Sequence, residues 1–237
     1  MLKRKRSDMP IYRLNNSIIF PPTDHAEPYG LLAVGGDVRV ERLLEAYRKG
    51  IFPWPLDDVP LAWWSPDPRF VLYPSKLKVP KSLDRVLRKQ IFTLTIDHCF
   101  SDVIHQCRSV KRPDQPGTWI TSQIKKGYIA LHEAGHAHSV EAWREGKLVG
   151  GLYGVSIGRC FFGESMFAVE PDASKCAFVS LVRALRAHGC PLIDCQVHTD
   201  HLERFGAEEI PRAQFLQEIQ NHLQDAEAIN WKTLKLN

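Results

Sequence analysis

The segment PLIDCQVHTDHLERFGAEEIPR, residues 191–212, places polar side chains inside an apolar run. Its first residues are typical of a buried strand, yet Asp194 and Gln196 interrupt them. Because side chains alternate along a strand, these two point to the same face. A buried carboxylate and a buried amide each cost free energy unless they are hydrogen-bonded, so this face must hold partners for both.

A second interior acid lies in RCFFGESMF, residues 159–167. In a regular strand Phe162, Glu164 and Met166 share one face. A helix predicted over residues 174–188 follows it, and a helical crossover joins neighbouring parallel strands. We therefore expect the two acids and the amide to meet at the carboxyl ends of both strands, where open α/β sheets bind their ligands.

Two acids and an amide suit the recognition of a cation and the orientation of an amine, since a carboxylate pairs strongly with a guanidinium or ammonium group. Cys195 is expected on the opposite face, which leaves no nucleophile–base pair among these residues. A structural network, with the acids satisfied by backbone amides, explains the same pattern equally well.

HEAGH, residues 132–136, matches the zinc-protease pattern H-E-x-x-H. The match requires His132 and His136 to share one helical face. Gly135 is expected to end the helix first, in a left-handed turn. Histidines at a helix end without a metal are the preferred interpretation, and a zinc hydrolase is the alternative.

Length and composition limit the class of protein. With 237 residues, 44% of them hydrophobic, the chain can form one large domain or a small and a medium one. A net charge of +4 permits a nucleic-acid partner without requiring one. The six cysteines form no CxxC pair, no apolar run is long enough to span a membrane, and no leader opens the chain, so we expect a cytoplasmic protein.

The chain divides near Arg69 into residues 1–68 and 69–237. The first part is rich in Pro, Gly and Trp, with one helix predicted between an N-cap at Asp37 and a C-terminal Gly50. We expect residues 51–68 to be extended but mostly unpaired, because proline cannot donate to a ladder. The second part reads as strand, helix, strand, a helix capped by Asp97, another helix, a three-strand meander, a crossover helix and a strand, which is an α+β plan.

Several blocks of the sequence resemble the bacterial leucyl/phenylalanyl-tRNA–protein transferase family, in the family's order from about residue 20 to 212. They are GLLAVGGDV, LLEAYRKGIFPWP, WWSPDPR, GTWIT, LHEAGHAHSVE, FFGESMF, ASKCA and IDCQVHTDHLERFGAEEIPR. The resemblance implies an aminoacyl-transferase that moves Leu or Phe, and Met less well, from tRNA to proteins beginning with Arg or Lys. The added residue marks them for N-end-rule degradation.

The resemblance also implies a small N-terminal α/β domain followed by an acetyltransferase-like (GNAT-like) domain with a mixed, mainly antiparallel sheet. AVEPDASK stands where a coenzyme A enzyme of that fold has its glycine-rich pyrophosphate loop. This difference counts against acetyl-CoA chemistry, and we expect neither a cofactor nor a metal.

In the family's pattern, Glu164 and Gln196 hold the basic N-terminal residue of the acceptor, Asp194 orients Gln196, and Gln196 accepts a hydrogen bond from the attacking amine. An amide is a poor base, so positioning the amine beside an activated ester is expected to supply much of the rate. The tRNA 3′ end and the aminoacyl group are expected near Tyr47, Trp54, Trp119, Tyr128, Phe161, Phe162, Ser165 and Met166.

Basic residues that could follow the tRNA backbone cluster around one short predicted helix: Lys76, Lys78, Lys81, Arg85, Arg88 and Lys89. A solvated helix face explains them nearly as well. The KRKR run at residues 3–6 could also contact phosphate, although a frayed terminus is the simpler interpretation. A non-catalytic RNA-binding module remains an alternative, and a monomer is the default expectation.

Overall fold

The computed structural model describes residues 11–56, 61–110, 118–223 and 228–236. Within these ranges the strands are β1 (Tyr12–Leu14), β2 (Leu31–Gly35), β3 (Phe52–Pro53), β4 (Ala62–Trp64), β5 (Arg69–Leu72), β6 (Thr93–Ile96), β7 (Ala137–Arg144), β8 (Lys147–Ile157), β9 (Cys160–Ala168), β10 (Ile193–Gln196) and β11 (Glu208–Ile210). The helices are α1 (Val40–Arg48), α2 (Lys81–Arg88), α3 (Phe100–Ser109), α4 (Ser122–Glu133), α5 (Ala173–Ala187), α6 (Asp200–Glu203) and α7 (Arg212–Leu223). Two short 3-10 helices lie at Thr23–His25 and Pro74–Lys76.

The first sheet has four strands in the order β1-β2-β4-β3. The proline-rich segment contributes two of them, with Phe52 opposite Trp64 and Pro53 opposite Trp63. The expectation of a mostly unpaired segment is therefore wrong. Because β3 is an edge strand, its proline removes no hydrogen bond that an inner strand would need.

The second sheet has seven strands in the order β11-β5-β10-β9-β8-β7-β6. The meander β7-β8-β9 and its turn between Arg144 and Lys147 are confirmed. Helix α5 crosses from β9 to β10, which pair in parallel, whereas the other pairings of this sheet are antiparallel. The predicted α+β plan with a mixed, mainly antiparallel sheet is thus confirmed.

The two predicted helix caps are wrong, although both helices form. Helix α1 has Arg39 as its N-cap, and Asp37 instead pairs with Arg39 and Arg42. Helix α3 has Cys99 as its N-cap, and Asp97 accepts hydrogen bonds across the sheet edge. In both cases the carboxylate has partners other than the helix amides: those of Asp37 are the nearby Arg39 and Arg42, and those of Asp97 are more than 40 positions away.

Two apolar clusters cover opposite faces of the second sheet. One contains side chains from α1, α3, α4, α7 and the first sheet, including Leu43, Phe100 and Phe215. The other contains α5, α2 and the C-terminal segment, including Val179, Leu83 and Trp231. None of the described helices is long and apolar enough to cross a membrane.

Candidate active site

The parallel strands β9 and β10 stay paired for only two positions, Phe161 opposite Ile193 and Phe162 opposite Asp194. Each strand then becomes irregular. The β8–β9 register passes from Gly163 to Ser165 and skips Glu164, while the β5–β10 register skips Cys195. Such bulges re-aim side chains and end pairing, so the strands separate where the polar residues begin.

The bulge at Glu164 overturns the expected alternation along β9. Phe162 lies in the cluster that contains Phe100, whereas Met166 packs against the cluster on the other face. The prediction that both share a face with Glu164 is therefore wrong. An extra residue in one strand shifts every later side chain to the opposite face.

The carboxylate of Glu164 has three polar partners. The phenol oxygens of Tyr47 and Tyr128 lie 2.6 Å from Oε1 and 2.8 Å from Oε2, and Gln196 Nε2 donates to Oε1 at 2.8 Å. The two phenol oxygens are themselves 2.5 Å apart. The two phenol oxygens and the two carboxylate oxygens of Glu164 thus form a compact ring, with the amide of Gln196 bound to Oε1.

This ring of four oxygens indicates where protons can reside. Two phenols supply two protons for three oxygen–oxygen contacts, and a proton on Glu164 gives each contact a donor. Burial raises the pKa of Glu164 to about 8, and the charge of Asp194 adds to the rise, while hydrogen bonds from both phenols and from Gln196 lower it. Burial and the nearby Glu164 also raise the pKa of Tyr47 and of Tyr128, so both phenols stay protonated.

The backbone of Gln196 is left-handed, with φ of +66°. Its N–H donates to Asp194 Oδ1 at 2.9 Å, which holds this otherwise unfavourable conformation. Since Gln196 Nε2 donates to Glu164, the other end of its amide presents Oε1 as an acceptor. The side chain can therefore accept a hydrogen bond through Oε1.

Asp194 is fully buried and does not border the cavity. Arg69 binds it with two hydrogen bonds, Nε to Oδ1 at 2.8 Å and Nη2 to Oδ2 at 2.6 Å. The guanidinium of Arg69 lies over the rings of Phe52 and Phe215, at 4.8 and 4.6 Å from their centres. The ion pair of Arg69 and Asp194 therefore contacts Gln196 without bordering the cavity.

A cavity of about 290 Å³ opens where β9 and β10 separate. Its walls are mainly apolar, with Glu164 and Gln196 among the polar groups. The other lining residues are Trp54, Trp119, Leu152, Tyr153, Phe161, Gly163, Ser165, Met166, Phe178, Leu181, Val182, Ile193, Cys195, Val197, Thr199, His201 and Leu202.

The predicted substrate-binding residues fall into two groups. Those that border the cavity are Trp54, Trp119, Phe161, Ser165 and Met166. Trp54 and Trp119 stack with ring centres 5.0 Å apart. Tyr47, Tyr128 and Phe162 are fully buried behind Glu164 rather than in the wall.

Several residues of the site escaped sequence reasoning. The need of a buried acid for a cation could have pointed to Arg69, the only arginine of WWSPDPR, but their pairing spans 125 positions. Helix α5 supplies Phe178, Leu181 and Val182, which read as ordinary core on the buried face of a helix. Cys195 does border the cavity, although burial raises the pKa of its thiol and keeps it protonated.

The histidines of HEAGH do not share a helical face. Helix α4 ends at Glu133, and Gly135 follows with φ of +80°, as predicted. His132 Nδ1 bonds Ala137 O at 2.8 Å and its ring stacks on Phe100. In the described part of the chain, three metal-type ligand atoms come together at the exposed cluster His198, Asp200 and Glu203, far along the sequence from HEAGH.

The six basic residues around α2 are all exposed: Lys76, Lys78, Lys81, Arg85, Arg88 and Lys89. Two of them have acidic partners, Lys76 with Glu208 and Arg88 with Asp84. The KRKR run at residues 3–6 lies outside the described residues.

Comparison with known proteins gives one consistent family. The model of the leucyl/phenylalanyl-tRNA protein transferase family matches residues 71–220, and that of its N-terminal domain matches residues 36–67. The leucyl/phenylalanyl-tRNA–protein transferase of Syntrophobacter fumaroxidans is 56% identical over 88% of this chain and 89% of its own. That of Syntrophotalea carbinolica is 57% identical over 90% and 93%. A solved structure, a conserved protein of unknown function from Bacteroides thetaiotaomicron, matches with a TM-score of 0.42 and 13% identity over 68% of this chain and 57% of that one.

Proposed function

The chain belongs to the leucyl/phenylalanyl-tRNA protein transferase family, and from that premise we propose that the cavity beside Glu164 and Gln196 is its transfer site. The reaction moves Leu or Phe from its tRNA to the N-terminus of a protein. The observation that carries the assignment is an apolar cavity whose polar edge holds an acid and an amide in contact.

The apolar part of the cavity takes the side chain of the amino acid that is transferred. Met166, Phe178 and Leu181 are among its walls, and they suit Leu or Phe, with Met accepted less well. A wall that is narrow at the substrate's Cβ would exclude the branched Ile and Val by steric contact. Differences of one methylene give only about 10-fold to 200-fold discrimination, so the selection is modest.

The polar edge takes the acceptor protein, which begins with Arg or Lys. Binding of the cationic side chain favours the ionised form of Glu164, so the two pair as cation and carboxylate, and the α-amine donates a hydrogen bond to Gln196 Oε1. Asp194 acts behind them by fixing the backbone of Gln196. The amine attacks the ester carbonyl, the amide bond forms and the tRNA 3′ hydroxyl leaves. The proton passes to water or to the hydroxyls of the substrate.

The stacked pair Trp54 and Trp119 offers a platform for the 3′ adenosine of the tRNA. Tyr47 and Tyr128 do not line the cavity and act by holding the carboxyl group of Glu164 in place through hydrogen bonds. The exposed basic residues around α2 contact the phosphate backbone, with Lys78 and Lys81 as candidates, and residues 3–6 add to this attraction.

Other features belong to the same proposal. Residues 1–68 form the small N-terminal domain and residues 69–237 the catalytic domain, which has the acetyltransferase-like (GNAT-like) arrangement adapted to an aminoacyl ester. The enzyme is a cytoplasmic monomer without a cofactor. Its products enter degradation by the N-end rule.

The test uses radiolabelled Leu-tRNA and two peptides that differ only in an N-terminal Arg or Met. Label on the Arg peptide alone supports both the reaction and the acidic recognition site. Label on neither peptide, from folded protein and intact Leu-tRNA, would contradict the proposal. Binding of tRNA regardless of aminoacylation would then favour the RNA-binding module.

A further inference from the structure

Arg69 is one of the largest fully buried side chains of the protein. It begins β5, and its guanidinium binds both oxygens of Asp194. Burying a guanidinium and a carboxylate is costly, and the geometry must be good to offset that cost. Two parallel hydrogen bonds of 2.8 and 2.6 Å provide such geometry.

The rings on either side of Arg69 come from distant parts of the chain. Phe52 belongs to β3 of the first sheet, and Phe215 belongs to α7 near the end of the chain. Both rings are buried, with 2% and 0% of their surface exposed. The guanidinium plane is therefore fixed by the first sheet and by the C-terminal helix together.

From Arg69 a chain of contacts leads to the cavity. Asp194 Oδ1 accepts from Arg69 Nε and also from the backbone N–H of Gln196. That second bond holds the left-handed backbone of Gln196, and the side chain of Gln196 then donates to Glu164. Rotation of the Asp194 carboxylate would break its hydrogen bond from the backbone N–H of Gln196, and with it this chain of contacts to the cavity.

We propose that Arg69 is a positioning residue for aminoacyl transfer, acting through Asp194 to aim Gln196 at the acceptor amine. Arg69 itself touches neither substrate, since it does not border the cavity. This inference rests on the proposed function of the cavity. Because Phe52 of the first sheet packs on Arg69, the inference gives this contact a part in catalysis as well as in folding.

The first experiment compares Arg69→Met and Arg69→Lys with wild type, with rates expressed per folded molecule. We expect kcat to fall roughly 100-fold in Arg69→Met, because a displacement of about 1 Å has that effect, while KM for Leu-tRNA stays within about 3-fold. Arg69→Lys should recover part of the rate, because lysine keeps the charge but loses the bidentate fork.

Arg42 provides the matched control. It is equally buried and pairs with Asp37 and the backbone of Asn15, but neither it nor these partners line the cavity. Arg42→Met should lower stability and leave kcat per folded molecule within about 2-fold of wild type. An equal loss of kcat per folded molecule in both variants would mean that the loss is not specific to the pair of Arg69 and Asp194, and the inference would fail.

The double variant Arg69→Met with Asp194→Asn separates the effect of Arg69 on the position of Gln196 from its effect on stability. If Arg69 acts through Asp194, the double variant loses no more activity than the worse single variant, because coupled residues are not additive. Its stability should exceed that of Arg69→Met, because no unpaired charge is left buried. Losses of kcat that multiply would overturn the inference.

The same set of variants distinguishes the inference from its premise. Wild-type activity in both Asp194→Asn and Gln196→Ala would show that the transfer site lies elsewhere. Activity lost in those two but retained in Arg69→Met would leave the site in place and remove only the role of Arg69.

Discussion

Glu141 in β7 and Glu164 in β9 are interior carboxylates of the same sheet, and their surroundings differ. Glu141 is fully buried and accepts from the hydroxyls of Thr95 and Ser139, both at 2.5 Å. Glu164 is only partly buried, because one side of it borders the cavity. Glu141 is paired on both sides, with Thr95 and Gly151, whereas Glu164 is skipped by the register at a bulge where two strands separate.

The comparison separates burial of an acid from access to a cavity. Each carboxylate has several hydrogen-bond partners, as a buried acid requires. What distinguishes Glu164 is the interrupted strand beside it, which opens space for a ligand next to the acid. Variants of the two residues should therefore separate catalysis from stability.

The largest effect is expected for Glu164→Ala. Transfer per folded molecule should fall by roughly 100-fold to 1,000-fold, since the variant loses both the cation partner and the group that orients Gln196. Glu141→Ala, the matched control, should keep the wild-type rate per folded molecule. Single-turnover transfer of label from Leu-tRNA to an Arg peptide measures both, and equal losses would remove the distinction.

For stability the order of the two residues should reverse, with the larger loss in the Glu141 variant. Glu141→Gln should lower the free energy of unfolding by about 1–3 kcal/mol, because the amide nitrogen replaces an oxygen that accepts from Thr95 or Ser139 and itself donates. Glu164→Gln should cost less than this at pH 8. Urea unfolding followed by circular dichroism checks the difference, and a greater loss in Glu164→Gln would contradict it.

The pH dependence of stability should also differ. A carboxyl group has a pKa near 4.5 when unfolded, and Glu164 has a raised pKa of about 8 in the folded protein. The folded state therefore binds the proton more tightly, and stability falls as pH rises from 4.5 to 8. Each pKa unit corresponds to about 1.4 kcal/mol. The loss should be absent from Glu164→Gln, and parallel pH profiles for both proteins would contradict the assignment.

The smallest effect is expected at the tyrosines behind Glu164. Tyr128→Phe removes one phenol hydroxyl from the ring of oxygens but leaves Tyr47 and Gln196 bound to Glu164. We expect kcat to fall about 3-fold to 10-fold, since one hydrogen bond contributes about 0.5–1.5 kcal/mol. Steady-state kinetics with the Arg peptide measure the change, and a loss as large as that of Glu164→Ala would place Tyr128 in direct contact with substrate.

The order of elements and the parallel pair β9–β10 could be predicted because both depend on local periodicity and on the crossover rule. The meeting of Glu164 and Gln196 follows from the same reasoning. Regular alternation puts Met166 on the wrong face. Gly163 inside the strand is a sign of a bulge, but a glycine alone does not fix which residue the register skips. The partner of Asp194 was equally hidden, since Arg69 reaches it only through the tertiary fold.

The most direct test of whether Glu164 recognises the N-terminal residue of the acceptor is the ratio of kcat/KM for two peptides. The values of kcat/KM for Arg and Met peptides are measured for wild type, Glu164→Gln and Glu141→Gln, and a ratio of the two peptides does not depend on the folded fraction. We predict that the preference for Arg falls by roughly 10-fold to 100-fold in Glu164→Gln, because a hydrogen bond to a charged group contributes about 1.5–3 kcal/mol, and that it is unchanged in Glu141→Gln. A wild-type preference in Glu164→Gln would show that another group recognises the acceptor.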